Sequence, residues 1–268
     1  MAKKSTISNF LANCIAYIRV TLSILCLVIQ VPILHIESMI FGYTPERGFK
    51  YRRRFAAYYI FILNVKITKK GNSELKNALY VCNHRMMIDP LVLLRHCDAY
   101  IVSKAEVADY PVLGSGAKNT GVIFVQRDHR GSRAAIKEKI GELLERGDSV
   151  AIFPEGTVNL KDTTSDFSKG SFDQAASVGC AVVPVALDFA DRTVYWGEDI
   201  SLMAHFLDVF RRRKLVCEIV FGDPIYSNDP IELMEKSRTF IDDELIKMRV
   251  KWDNDPKSSS RVAARSRA

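Results

Sequence analysis

Residues 79–90 read LYVCNHRMMIDP and combine the signals of a strand, a loop and a helix start. It opens with the apolar run Leu79–Cys82, continues with the polar residues 83–85 and the apolar residues 86–88, and ends in Asp89-Pro90. A short continuous apolar run is typical of a strand buried on both faces, and proline favours the first turn of a helix. The stretch therefore predicts a strand, a polar loop and a helix in succession, which is the repeating unit of α/β proteins.

The same pattern recurs outward from this stretch, over residues 64–252. Strands are predicted at Val65–Thr68, Leu79–Cys82, Tyr100–Ser103, Gly121–Val125, Val150–Phe153, Val182–Leu187 and Leu215–Phe221. Helices are predicted at Ser132–Arg146, with Ser132 as N-cap and Gly147 as the stop, and at Pro230–Lys251 after the N-cap Asp229. The alternation predicts an α/β fold with a mixed, largely parallel sheet covered by helices on both faces.

The residues before this region are apolar and basic. Phe10–Leu34 is interrupted by Arg19, and Pro32 is expected to bend or stop a helix there. A second apolar helix, Phe55–Leu63, follows the basic run 50–54. We predict that residues 1–63 form a two-helix membrane anchor, as a shallow hairpin or one tilted span, and that residues 64–252 form the catalytic domain. The alternative is that both helices pack on a soluble domain.

The net charge of +7 belongs to the two ends of the chain. Residues 1–70 contain 11 Lys/Arg and 2 Glu, whereas residues 71–248 contain 21 Lys/Arg and 27 Asp/Glu. A nucleic-acid-binding protein more often carries its basic stripe on the folded domain, so we expect no nucleic-acid partner. The basic N-terminus suits anionic lipid headgroups, and residues 253–268 are expected to form a disordered basic tail. Six cysteines without a C-x-x-C pair indicate free thiols in a reducing compartment.

The pair His84 and Asp89 is the first candidate for chemistry. Five residues on a helix rotate by about 140°, so the two side chains can meet only across a loop-to-helix junction. If the loop folds back, Asp89 accepts a hydrogen bond from one imidazole nitrogen and leaves the other as a base. Alternatively, Asp89 only caps a helix over Pro90–His96, and His84 is an ordinary loop histidine.

Further polar residues follow other predicted strands. Glu155, Gly156 and Thr157 follow one strand, and the cations Arg127 and Lys104 follow two more. Each taken alone is also typical of a turn or a surface charge. Because the carboxyl ends of parallel strands meet at one edge of a sheet, they predict a single cleft with a general base beside a phosphate site.

Together these segments resemble the glycerolipid acyltransferase family, above all the 1-acyl-sn-glycerol-3-phosphate acyltransferases. The N-H-x-x-x-x-D block of the family resembles Asn83–Asp89, and its G-x-x-F-[I/V]-x-R block resembles Gly121–Arg127. Its F-P-E-G-T block resembles Phe153–Thr157, and its V-P-V block resembles Val183–Val185. The order and spacing of the blocks agree as well.

The resemblance implies a membrane-bound O-acyltransferase that makes phosphatidic acid from lysophosphatidate. It implies that His84 is the general base, that Asp89 orients it, and that no metal or cofactor takes part, with acyl-CoA or acyl carrier protein as the acyl donor. The residues implied to hold the glycerol phosphate are Arg127, Glu155, Gly156, Thr157 and Lys104. Membrane phospholipids are the implied surroundings, on the cytoplasmic face of the membrane, which in a bacterium is the inner membrane.

Two positions depart from the family pattern. Met86 stands where the family often has Ser, and Val158 stands where it usually has Arg. The departures favour an alternative acceptor, such as a lyso-ornithine lipid, glycerol 3-phosphate or another lysophospholipid. An alternative from another class is a non-catalytic lipid-binding module at the membrane surface. A lipid hydrolase is disfavoured because the sequence contains no G-x-S-x-G elbow, and a zinc enzyme is disfavoured because the spacing of Cys82, His84 and Asp89 fits no usual zinc site.

Overall fold

A computed structural model of the chain describes residues 2–105, 108, 113–125, 130–197 and 199–254. Its centre is a seven-stranded sheet in the order β1-β7-β6-β2-β5-β3-β4, in which β7 runs antiparallel to β6 and all other neighbours are parallel. The strands are β1 (Val65–Lys70), β2 (Ala78–Cys82), β3 (Tyr100–Lys104), β4 (Val122–Val125), β5 (Val150–Ile152), β6 (Ala181–Phe189) and β7 (Leu215–Phe221). The helices of the described residues are α1 (Ala2–Phe41), α2 (Pro45–Ile62), α3 (Asp89–Leu94), α4 (Leu113–Lys118), α5 (Arg130–Glu145), α6 (Gly170–Val178), α7 (Leu202–Arg211) and α8 (Pro230–Asp253).

Both faces of the sheet are covered, as the continuous apolar strands predict. Strand β2 sends Tyr80 and Cys82 into one core, with residues of α2, α3 and α7, and Leu79 and Val81 into a second core with α5, α6 and α8. All five residues of β2 are buried. The predicted fold class, a mixed and largely parallel α/β sheet, is therefore confirmed.

Local signals located the regular elements well, with one cap misassigned. All seven predicted strands are present, and Asp229 caps α8 by accepting a hydrogen bond from the backbone N–H of Ile231. Helix α5 begins at Arg130, so Ser132 lies inside the first turn and is not the N-cap. Gly147 follows the end of this helix in the left-handed conformation, at φ +86°, as a helix stop requires.

Pro32 does not stop the first helix, as one form of the prediction had it, because α1 continues through Pro32 to Phe41. Proline removes one helical hydrogen bond, but the residues around Pro32 are held by packing. Val31 and Leu34 are buried, and Val31 packs against Gly116 of α4 so closely that a Cβ there would lie 2.7 Å from its Cγ2.

The two predicted anchor helices differ in their surroundings. Within the described residues, Asn9–Phe41 is the one helix long and apolar enough to cross a membrane by length and composition. Helix α2 begins at Pro45, ten residues before the predicted start, and includes the basic run. It buries Phe49, Arg52 and Tyr59, and Tyr59 belongs to the core of the sheet domain, so the helix packs on that domain while its part in a membrane anchor stays a prediction. The helix starts earlier than predicted because its buried residues recur at helical spacing through the basic run, which was not included in the predicted helix.

Two further predictions concern residues beyond the structure's reach. Of the predicted tail 253–268, Asp253 ends α8, and residues 255–268 lie outside the described residues. Arg127 lies outside them as well.

Candidate active site

The loop between β2 and α3 folds back so that His84 meets Asp89. Imidazole Nδ1 lies 2.7 Å from Asp89 Oδ2, within hydrogen-bonding distance. The chain turns after β2, and Asp89 is the first residue of α3, with Pro90 in the first helical turn. The carboxylate thus contacts the histidine, and the alternative in which Asp89 only caps the helix does not describe this site.

Backbone amides fix the carboxylate in this position. Asp89 Oδ2 also accepts hydrogen bonds from the N–H groups of Arg85, at 2.5 Å, and Met86, at 2.8 Å. Because two backbone N–H groups donate to Oδ2, this oxygen is an acceptor, and the proton of the His84–Asp89 contact is therefore assigned to Nδ1 of His84. This tautomer leaves Nε2 of His84 as the basic nitrogen.

The imidazole is held in place and still reaches solvent. The ring of Phe153, which directly follows β5, stacks on it with the centroids 4.4 Å apart and the planes at 25°. The side chain of His84 is 18% exposed, whereas that of Asp89 is fully buried. A group outside the protein can therefore approach the imidazole but not the carboxylate.

Glu155 faces the backbone of the histidine loop. Its Oε1 accepts from the N–H of His84 at 3.1 Å, and its Oε2 accepts from the N–H of Ser165 at 2.7 Å and from Asn159 Nδ2 at 2.9 Å. The backbone N–H of Asn159 in turn donates to the carbonyl of His84 at 3.0 Å. Glu155 therefore ties the loop after β5 to the histidine.

The sequence reasoning missed Arg85, whose side chain is fully buried beneath the site. Its guanidinium donates to the carbonyl oxygens of Asn159, at 2.9 Å, and Asp162, at 3.3 Å. Its Nε lies 3.9 Å from Asp188 Oδ1, and Arg249 Nε lies 2.8 Å from Asp188 Oδ2. Burial raises the pKa of the Asp188 carboxyl against the opposing effect of Arg249.

Asn83 is a structural partner of the site. Its amide donates to the carbonyl of Leu187 and accepts from the N–H of the same residue, both at 2.8 Å. Because Leu187 belongs to β6, this paired contact joins the start of the histidine loop to the neighbouring strand. The asparagine of the N-H-x-x-x-x-D block therefore has a structural role, which is to join the histidine loop to β6.

Three other predicted site residues, Gly156, Thr157 and Lys104, follow or end strands at the same edge of the sheet as His84. Gly156 and Thr157 are exposed in the turn after Phe153, and Gly156 has a φ of +71°. Lys104 is the last residue of β3, which pairs in parallel with β5, so its backbone lies at the same edge as the end of β5. Among the described residues, no group of three or more His, Cys, Asp or Glu side chains is arranged to hold a metal ion.

Comparisons with known proteins agree with the motifs. The Acyltransferase family model matches residues 64–188. The chain is 31% identical over 149 residues to the 1-acyl-sn-glycerol-3-phosphate acyltransferase LPAT1, chloroplastic, of Arabidopsis thaliana, which covers 51% of this chain. It is 29% identical over 206 residues to a lyso-ornithine lipid O-acyltransferase of Pseudomonas aeruginosa, which covers 74% of this chain and 79% of that protein. The match spans only 42% of the length of the Arabidopsis relative.

The fold is shared with a solved structure. The crystal structure of the 1-acyl-sn-glycerophosphate acyltransferase PlsC from Thermotoga maritima superposes with a TM-score of 0.70 at 17% identity, over 91% of this chain and 97% of that one. The chain is thus similar to acyltransferases in the sequence of residues 64–188 and in its fold.

Proposed function

We propose that the protein is a membrane-bound O-acyltransferase that transfers a fatty acyl group from acyl-CoA or acyl carrier protein to the free hydroxyl of 1-acyl-sn-glycerol 3-phosphate. The observation that carries the proposal is the 2.7 Å contact between His84 and Asp89. A buried carboxylate that orients a partly exposed imidazole is the arrangement that general base catalysis needs.

In the proposed mechanism, His84 Nε2 removes the proton from the acceptor hydroxyl as its oxygen attacks the thioester carbonyl carbon. The imidazolium that forms keeps its Nδ1–H bond to Asp89, which stabilises the positive charge. The tetrahedral intermediate then breaks its C–S bond, and the leaving thiolate takes the proton from His84 Nε2, which restores the neutral imidazole. Products are the acylated lipid and the free thiol. This route uses no metal or prosthetic group.

The substrate's phosphate is proposed to bind Arg127 and Lys104, with Gly156 and Thr157 beside the glycerol. Cations suit this task because charge-assisted hydrogen bonds to phosphate are the strong ones. Glu155 takes a different part in this proposal from the one that the family resemblance implied. Since its carboxylate oxygens bond to His84 N–H, Ser165 N–H and Asn159, it positions the loop.

Membrane association is proposed to depend on α1. Only 22% of its apolar segment is buried, and exposed large side chains such as Ile18, Leu25 and Ile36 lie along it. The helix is nevertheless attached to the domain at two distant points. Arg19 donates to the carbonyl of Phe210 at the end of α7, and His35 contacts Asn119 at 2.9 Å.

These two attachments are separated by sixteen residues, or about 24 Å of helix. A helix fixed along that length lies against the domain, so we propose that it rests in the membrane plane with its free apolar face among the lipids. The cleft would then lie near the headgroups. Free cysteines indicate a reducing compartment, which favours the cytoplasmic face, the inner membrane in a bacterium.

A lyso-ornithine lipid is the second candidate acceptor. Val158 stands where the arginine of the family motif is expected, and the Pseudomonas relative, a lyso-ornithine lipid O-acyltransferase, aligns over 74% of this chain. An acceptor without a glycerol phosphate would need fewer cations in the cleft.

The test is an acyl-transfer assay with purified protein in mixed micelles, in which lysophosphatidate, a lyso-ornithine lipid and glycerol 3-phosphate are each combined with acyl-CoA and acyl carrier protein. We expect the highest kcat/KM with lysophosphatidate. Transfer only to the lyso-ornithine lipid would select the second candidate. Lipid binding without transfer to any acceptor would indicate a non-catalytic module.

A further inference from the structure

A groove of about 520 Å³ lies on the outer edge of the sheet, away from the histidine. Its apolar wall includes Ala57, Ile60 and Phe61 at the end of α2, and its basic rim includes Lys66 and Lys69 on β1 and Arg95 after α3. Strand β1 is an edge strand, separated from β2 by β7 and β6. The groove is therefore distinct from the candidate active site.

The cations of the rim are available for an external anion. Among the described residues, Lys66, Lys69 and Arg95 form no ion pair with a carboxylate, whereas their neighbour Lys70 pairs with Glu218 at 2.6 Å. All three are exposed. Three unpaired positive charges around one concave surface create a positive local potential there.

A histidine ring forms another part of the groove wall. His96 lines it, and the Nε2 atom of that ring is buried with no hydrogen-bond partner among the described residues. Burial, together with the charges of Lys69 and Arg95, lowers the pKa of His96 to about 4. The ring is therefore neutral at physiological pH, so the positive charge of the groove comes from Lys66, Lys69 and Arg95.

The groove is formed in part by α2, which packs against α1, the helix proposed to rest in the membrane. Tyr59 and Leu63, at the end of α2, share a hydrophobic cluster with Ala16 of α1. Phe61, on the groove wall, is 80% exposed. An exposed aromatic ring next to unpaired Lys and Arg side chains is the composition of a membrane–water interface, where rings contact acyl chains and cations contact headgroups.

We propose that this groove binds the headgroup of an anionic phospholipid of the bilayer. The lipid phosphate would contact Lys66, Lys69 and Arg95, and the upper part of its acyl chains would pack on Ile60 and Phe61. This inference rests on the membrane association in the proposed function. It adds a second lipid site that gives the protein a preference for anionic membranes and fixes its orientation on them.

The experiment is vesicle flotation of the full-length protein, with phosphatidylcholine vesicles and with phosphatidylcholine vesicles that contain phosphatidylglycerol. The measured quantity is the ratio of the two partition coefficients. The test variant is Lys66→Gln/Lys69→Gln/Arg95→Gln. The control Lys139→Gln/Lys236→Gln/Lys247→Gln removes the same charge from α5 and α8, where each lysine pairs with a glutamate on its own helix.

We expect wild-type protein and the control to prefer the anionic vesicles by at least about tenfold, since one basic residue near such a surface contributes about 1 kcal/mol, or roughly fivefold. The test variant should lose most of that preference while binding pure phosphatidylcholine as before, because α1 is unchanged. Equal preference in test variant and control would overturn the proposal.

A second variant separates a binding groove from a flat basic patch. Ala57→Phe fills the groove and leaves every charge in place, so we expect it to reduce the anionic preference as well. An unchanged preference with Ala57→Phe would contradict a site in the groove. If the triple variant lost binding to purified acyl carrier protein and kept its vesicle preference, the partner would be an acidic protein and the lipid proposal would be wrong. None of these readouts uses acyl transfer, so they are independent of the catalytic proposal.

Discussion

Nδ1 of His84 lies 2.7 Å from Oδ2 of Asp89, although a regular helix would point these two residues in different directions. The contact exists because the loop turns the histidine back over the first residue of α3. The N–H groups of Arg85 and Met86 hold the carboxylate from the other side. The His84–Asp89 pair is thus held by backbone hydrogen bonds within six residues of chain.

Replacing Asp89 by Asn tests whether the carboxylate acts on the imidazole. The asparagine oxygen can still accept from the two backbone N–H groups, so the loop should persist, but the negative charge that stabilises the imidazolium is lost. We expect kcat to fall by about 10²–10⁴-fold with both KM values little changed. Steady-state kinetics measure this, and wild-type kcat in Asp89→Asn would remove the carboxylate from the mechanism.

Glu155→Gln separates positioning from substrate binding. The amide group of glutamine would oppose a backbone N–H of His84 or Ser165 with another donor, so the histidine loop should shift. A misplacement of about 1 Å can cost about 10²-fold in rate, and we expect the loss in kcat. Glu145→Gln, which changes an exposed carboxylate at the end of α5, serves as the control. A rise confined to the acceptor KM would mean instead that Glu155 binds the substrate.

Arg127→Ala tests the phosphate site. Loss of a charged hydrogen bond of about 1.5–3 kcal/mol should raise the acceptor KM by roughly 10- to 100-fold and leave the donor KM unchanged. Lys139→Ala, which removes a surface cation of α5, should leave both constants alone. An unchanged acceptor KM in Arg127→Ala would locate the phosphate elsewhere.

The regular elements could be predicted from sequence because the strands are continuous apolar runs and the helices have local stop signals such as Gly147. The His84–Asp89 pair could be proposed as well, since Pro90 marks the helix start that brings the two together. Arg85 could not be assigned, because its partners Asn159, Asp162 and Asp188 are distant in sequence and meet it only through the sheet order.

The N-terminal region shows the same limit of local reasoning. Pro32 is a helix breaker by itself, but the burial of Val31 and Leu34 against the domain outweighs that preference. The basic run in α2 gave no hint that Arg52 is buried. Its guanidinium donates to the carbonyl of Thr120 at 2.7 Å, which is a tertiary contact.

His96 gives the stability a defined dependence on pH. Its pKa in the folded protein is about 4, lowered by burial from an ordinary 6.5, so the unfolded chain binds a proton that the folded chain does not between these values. The contribution of the neutral His96 to the free energy of unfolding is therefore fully present above pH 6.5 and is lost as the pH falls towards 4. Denaturant unfolding of His96→Gln, measured between about pH 7 and pH 4, should show a smaller loss of unfolding free energy in acid than wild type. Parallel pH profiles would contradict this assignment.

The most direct test of general base catalysis by His84 is the rate of acyl transfer by purified His84→Ala protein. Circular dichroism and vesicle flotation, measured alongside, should match wild type because the imidazole is partly exposed and belongs to no core. We expect turnover from a thioester donor to a lysolipid acceptor to fall by about 10²–10⁴-fold, since no other group takes over the general base. Transfer at the wild-type rate by a folded, membrane-bound His84→Ala protein would contradict the central claim.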